Sequence, residues 1–161
     1  MADDVSGRPV HTYRALCSWS GSTAGGHPSY DRAHRASAPP AEAELALSAE
    51  PAFGGEPGRL NPEQLLVLSA ASCQLLSFLA VAARARLDVR DYRDDAVAVM
   101  PEASRPVRIS EIVLRPRITL AAGPSEERVR HLVEVAHREC FIANSLATPV
   151  RIDPEIAFVE A

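Results

Sequence analysis

The longest uncharged stretch of the chain covers residues 64–83 and is mostly apolar. Just ahead of it, Asn61 is a good N-cap, Pro62 takes the favoured first helical position, and Gln64 can close a capping box. The pattern predicts a helix from there to about residue 86. A second helix is predicted after Ser125, with Glu126 and Glu127 suited to its positive end. Val129, Leu132, Val133, Ala136 and Cys140 give it an apolar face at i, i+3, i+4, i+7 and i+11. Arg130, Glu134 and Arg138 face water, and the helix is expected to end at Asn144 or just after.

The other periodic segments read as strands: residues 11–20, 29–37, 44–48, 92–100, 107–121, 150–152 and 156–159. In the second of these, two-residue alternation sets Tyr30, Arg32 and His34 on one face, and Pro39 and Pro40 end it. Residues 50–59 are rich in proline and glycine and read as a loop. Residues 101–106 read as a turn, and Pro116 inside its strand marks an edge or a bulge. The strands come in runs and do not alternate strictly with helices. The expected class is therefore α+β, a mostly antiparallel sheet with two main helices on one face. Residues 1–9 are expected to form a flexible arm and residues 10–161 a single domain.

Composition narrows the function. The chain has 161 residues and a formal net charge of −4, which lacks the electrostatic footprint of a nucleic-acid binder. All 17 basic residues are arginines. Lysine Schiff-base chemistry and a P-loop lysine are thereby excluded. The uncharged helix is long enough to span a bilayer. It nevertheless carries Gln64, Ser69, Ser72, Cys73, Gln74 and Ser77, and no second such segment exists. A buried core or oligomer helix is the better reading, with no membrane span. That helix is too apolar for a lone small domain, so a second copy of the chain is expected to cover part of it. The acidic N-terminus leads into no apolar core segment, so no secretory signal and a reducing, cytoplasmic setting are expected.

The three cysteines, Cys17, Cys73 and Cys140, are widely spaced and form no C-x-x-C. A structural zinc site has no support. His137 and Cys140 could offer two ligands at i, i+3, but no third is assured, and no metal is expected. Cys73 lies mid-helix on a line with Ser69 and Ser77 at four-residue spacing. One reading makes Cys73 and Cys140 small buried hydrophobes.

The local sequences offer another. Asn61, Pro62, Glu63, Gln64, Leu65 and Leu66, then Cys73 ten residues after Glu63, then Cys140 with Phe141, Ile142, Ala143, Asn144 and Ser145, resemble the OsmC/Ohr family of thiol peroxidases. Upstream, Trp19, Ser20 and Gly21, and Tyr30, Asp31, Arg32, Ala33 and His34, resemble a subgroup with Trp-Thr-Gly and Tyr-x-Arg-x-His. The resemblance covers residues 10–160 and implies an OsmC-like fold as an intertwined homodimer. It implies a peroxidatic role for Cys73, a resolving role for Cys140, and roles for Arg32 and Glu63 beside them. Cys17 matches nothing in the pattern and is expected to be structural. The implied reaction reduces organic hydroperoxides through a Cys73 sulfenic acid and a Cys73–Cys140 disulfide. An external dithiol, in that family typically a lipoylated protein, recycles it without a bound cofactor.

The chemistry is coherent. A thiolate, not a thiol, cleaves the O–O bond, and an apolar helix pushes a thiol upward. Arg32 supplies a permanent cation, and Glu63 is suited to hold its fork. Glu63 and Cys73, ten residues apart on one straight helix, stand about 15 Å apart. One arginine cannot touch both. Either the helix bends or starts late, or the glutamate comes from a partner chain, and the last is favoured. The alternative from another class is a non-catalytic OsmC-like binding or stress-response protein that keeps the scaffold and holds a small ligand.

Overall fold

The computed structural model describes residues 9–160, whose contacts group into two compact units, one up to Gln64 and one from Leu65. Apart from Pro9, the expected N-terminal arm lies outside the described residues.

The first unit holds an antiparallel sheet of β1 (Leu16–Ser18), β2 (His34–Ser37) and β3 (Glu44–Leu47), with Cys17 opposite Ala36 and His34 opposite Leu47. After β3, the N–H of Ser48 donates to the Leu60 carbonyl at 3.0 Å. This closes the intervening loop, which carries a 3₁₀ turn at Pro51–Phe53.

Two expectations change here. The strand expected over residues 11–20 shrinks to three residues. The strand expected over residues 29–37 begins only at His34, so Tyr30, Arg32 and His34 do not share a strand face. The cause is local. The carboxylate of Asp31 accepts the Ala33 N–H at 2.8 Å, a side-chain turn that competes with extended pairing.

Helix α1 (Pro62–Arg84) begins where the capping pattern places it. The Asn61 side chain accepts the Gln64 N–H at 2.8 Å, and the Gln64 side chain accepts the Asn61 N–H at 3.0 Å. This reciprocal pair satisfies two donors that helix geometry would otherwise orphan. The helix neither starts late nor breaks, so its rise sets Glu63 and Cys73 about 15 Å apart. It ends on Arg86 in a left-handed conformation (φ 59°), with the Leu87 N–H on the Ala82 carbonyl at 2.9 Å.

In the second unit α1 packs into two apolar clusters. Phe78, Val81 and Ala82 meet Ile118, Leu120, Val129, Val133 and Ala136 in one. Ala70 meets Ile109, Ile112 and Leu114 in the other. Each large side chain so buried contributes about 1.5–3 kcal/mol. Leu68, Leu76 and Leu79 remain exposed on the same helix. It is long and apolar enough to cross a membrane, a property it shares with core helices of soluble proteins.

The two long strands expected over 92–100 and 107–121 are each divided. The first is β4 (Val89–Asp94) and β5 (Val97–Val99); the second is β6 (Glu111–Leu114) and β7 (Pro116–Ala121). After helix α2 (Glu126–Glu139) and short helix α3 (Phe141–Ser145) come β8 (Val150–Ile152) and β9 (Glu155–Val159). One sheet runs β4-β7-β9 and another β5-β6-β8. The pairs β4/β7 and β5/β6 are antiparallel, while β7/β9 and β6/β8 are parallel. The architecture is the expected α+β class, with these two parallel pairings among antiparallel ones. Pro116, which lacks an N–H to share, opens β7 where the chain passes from one sheet to the other.

Asp94 pins this passage. Its Oδ1 accepts the Arg115 N–H at 2.7 Å, while its Oδ2 is buried without a partner. Burial pushes the Asp94 carboxyl above its usual range, opposed by the Arg115 N–H and reinforced by Asp95. The folded state therefore holds this proton more tightly than the unfolded chain. The stabilising contribution is full below the unfolded value, near 3.9, and is lost as pH rises through the folded one. Asp94→Asn keeps an acceptor for Arg115 and carries no charge. It is expected to melt above the wild type at pH 7, with the gap closing as pH falls towards about 4. A lower melting temperature than wild type at pH 7 contradicts this account.

Candidate functional site

Arg32 and Glu63, two of the four site residues read from the sequence, line one pocket of about 420 Å³ in the first unit. Cys17, Trp19, Tyr30, Glu50 and Phe53 share its wall. The Arg32 guanidinium is folded onto its own loop. It donates from Nη1 to the Tyr30 carbonyl and from Nη2 to the His27 carbonyl, both at 2.8 Å. Its carbon also lies 4.4 Å from the centre of the Tyr30 ring, a cation–π contact.

That ring is in turn set edge-to-face against Trp19 and His27, at 6.2 and 6.0 Å between centroids. The Trp19 indole N–H is tied to the Asp31 carbonyl at 2.7 Å. Trp19 and Tyr30 belong to the upstream motifs, but their work as the seat of Arg32 runs through backbone carbonyls and ring faces and leaves no mark in the sequence.

Glu63 was expected to hold the arginine fork. Among the described residues Arg32 forms no ion pair; carbonyls of its own turn take that place. Two of its five N–H groups are thereby used, and the others remain as donors. Cys17, expected to be structural, is exposed and stands on the pocket wall.

The other two site residues come together in the second unit. Cys73 is half-buried on α1. Its sulfur accepts the Ile142 N–H at 3.5 Å, a donor freed at the start of α3. Cys140 is buried and does not lie on a helix, contrary to the expectation of one helix through Asn144. Its extended backbone (φ −70°, ψ 110°) ends α2 and begins α3. The break buries Cys140 and leaves Phe141 exposed. Burial pushes the Cys140 thiol up; backbone N–H groups at Ala143 and Ile142 oppose this, and the neighbouring Cys73 adds to it. Cys140 thus rests as a protonated thiol beside Cys73, and both are free.

Gln74, next to Cys73, is fully buried. Its amide donates to the Val133 carbonyl at 3.5 Å, and its Oε1 lies 3.3 Å from Nδ1 of His137. His137, expected as a solvated or capping histidine rather than a metal ligand, thus has Gln74 as a partner. Among the described residues no three His, Cys, Asp or Glu side chains gather as a metal site. The line of Ser69, Cys73 and Ser77 does not form a polar relay through Ser69, whose hydroxyl donates to the Leu66 carbonyl of its own helix at 2.7 Å.

Comparison with known proteins gives a consistent picture. A family model described as OsmC-like protein matches residues 54–155. No curated protein matches the chain. An OsmC-like protein of unknown function from Vibrio cholerae superposes with a TM-score of 0.82 at 27% identity, over 90% of this chain and 99% of that one. An organic hydroperoxide resistance protein from Legionella pneumophila gives 0.69 at 20% identity, over 93% and 99%. One from Elizabethkingia anophelis, with thiocyanate bound, gives 0.71 at 17%, over 94% and 99%.

The seat of Arg32 can be tested through Gly54. Its φ is 81°, and a Cβ there would stand 3.0 Å from the Arg32 guanidinium carbon. Gly58 shares the left-handed conformation (φ 90°) with open space around it. Alanine at either position is expected to cost about 1–2 kcal/mol from backbone strain. Only Gly54→Ala should displace Arg32 and shift the emission of Trp19, the only tryptophan in the chain. Equal shifts in both variants contradict the packing described.

Proposed function

The chain belongs to the OsmC-like protein family, and from that premise we propose that it is a thiol-dependent peroxidase for organic hydroperoxides. The observation that carries the reading is the meeting of Cys73 and Cys140 as free thiols, one half-buried and one buried. Relatives of the same fold named as organic hydroperoxide resistance proteins support the substrate class.

In this reading the Cys73 thiolate attacks one peroxide oxygen. The O–O bond breaks, the alkoxide takes a proton and leaves as an alcohol, and Cys73 becomes a sulfenic acid. The Ile142 N–H is already directed at the sulfur. The Cys140 thiol then condenses with the sulfenic acid, releasing water and forming a disulfide. A dithiol, free or carried on a lipoylated protein, restores both thiols by exchange. No bound cofactor is required. Free cysteines fit a reducing, cytoplasmic setting.

Arg32 is proposed to serve the thiolate and the departing oxygen with the donors its loop leaves free. Glu63, which lines the same pocket as Arg32, is proposed to share with it a site for the thiols of a second copy in a homodimer, because the unbroken helix cannot bring Glu63 and Cys73 of one chain to one arginine. The exposed Leu68, Leu76 and Leu79 on α1 suit burial by a second copy.

A consumption assay with excess dithiol tests the proposal. Cumene hydroperoxide is expected to be consumed faster than hydrogen peroxide, and Cys73→Ser to reduce the rate to background. Arg32→Gln is expected to lower kcat/KM roughly a hundredfold. No consumption by the wild type rejects the peroxidase and leaves the alternative, a family member that only binds a small ligand in the Arg32 pocket.

A further inference from the structure

Gln74 stands where an apolar residue would be expected. Ala70, Gln74 and Phe78 form one buried stripe along α1, with Ala70 in one apolar cluster and Phe78 in the other. A fully buried amide there needs partners. It finds both on a single turn of α2, the Val133 carbonyl and the His137 imidazole. Residues four apart on a helix are stacked neighbours, so the amide brackets that turn from the side. An apolar side chain would tolerate sliding of α2 along α1; an amide with one pair of partners is satisfied in one register only.

The bracketed turn lies three residues before Cys140, and the amide lies one residue after Cys73. Resting on the thiol reading above, we infer that Gln74 is a positioning residue: through His137 and Val133 it fixes the register that keeps Cys140 facing Cys73. The quantity it controls is the effective concentration of one thiol towards the other. That concentration enters both the condensation step and the disulfide equilibrium.

The equilibrium can be read without any peroxide. In a buffer of reduced and oxidised dithiothreitol, Cys73 and Cys140 together release two protons and two electrons. Their S–S bond forms as that of oxidised dithiothreitol opens to a dithiol. Peptide mass analysis then gives the fraction of Cys73–Cys140 disulfide. Gln74→Met keeps the volume and removes the amide. It is expected to fold cooperatively and to disfavour the disulfide about tenfold, which is about 1.4 kcal/mol. His137→Gln keeps a donor for the Gln74 oxygen and leaves the bond to the Val133 carbonyl in place; it should remain within about threefold of the wild type, a difference below about 0.7 kcal/mol. Should Gln74→Met not fold, His137→Leu removes one partner from the other side and is expected to move the equilibrium the same way.

A wild-type equilibrium in a variant that only melts earlier overturns the inference, because the amide would then be a satisfied core group and nothing more. So does a wild type that forms no such disulfide. Failure of the peroxidase reading appears separately, as hydroperoxide left unconsumed by a protein whose disulfide equilibrium still responds to Gln74.

Discussion

Helix α1 has no charge between Glu63 and Arg84, so its side chains lose little by leaving water and gain much by packing. Around that helix the second unit is organised. Its N-terminal half, through Ala70, meets β6; its C-terminal half, through Phe78, Val81 and Ala82, meets β7 and α2. Cys73 lies between the two clusters, on a rigid element whose neighbours are fixed by close packing. The exposed Leu68, Leu76 and Leu79 are the part of this constraint that one chain leaves unsatisfied.

The electrostatics of the thiol pair follow from the same packing. Cys140 is buried at the break between α2 and α3, where desolvation favours the neutral thiol. Cys73 is less buried and receives the Ile142 N–H. Two identical groups side by side thus differ in burial, which suits a division into an attacking and a resolving sulfur. The first unit presents Arg32 held by carbonyls and an aromatic face, a cation with no carboxylate partner among the described residues.

Much of this was legible in the chain because it rests on local rules. Asn61, Pro62 and Gln64 specify the start of α1, and the structure shows both bonds of the capping box. The face of Val129, Val133 and Ala136 is the buried face of α2. Four features were not legible. Pro116 marks one passage between sheets, but the bond from the Arg115 N–H to Asp94 that pins it is long-range and has no local signature. The side-chain turn at Asp31 outweighs the strand pattern of Tyr30, Arg32 and His34. The apolar face of α2 predicts Cys140 as its last helical member, whereas the backbone turns at that residue. Gln74 and His137, 63 residues apart, carry no local signal of their contact.

The central claim is that Cys73 and Cys140 form a single redox unit. Its most direct test is the intact mass of the reduced protein after one equivalent of cumene hydroperoxide. The account predicts the loss of two hydrogens in the wild type and the gain of one oxygen in Cys140→Ser, where the sulfenic acid has no partner. A wild type that gains oxygen and keeps it, or one that returns with its mass unchanged, contradicts the claim.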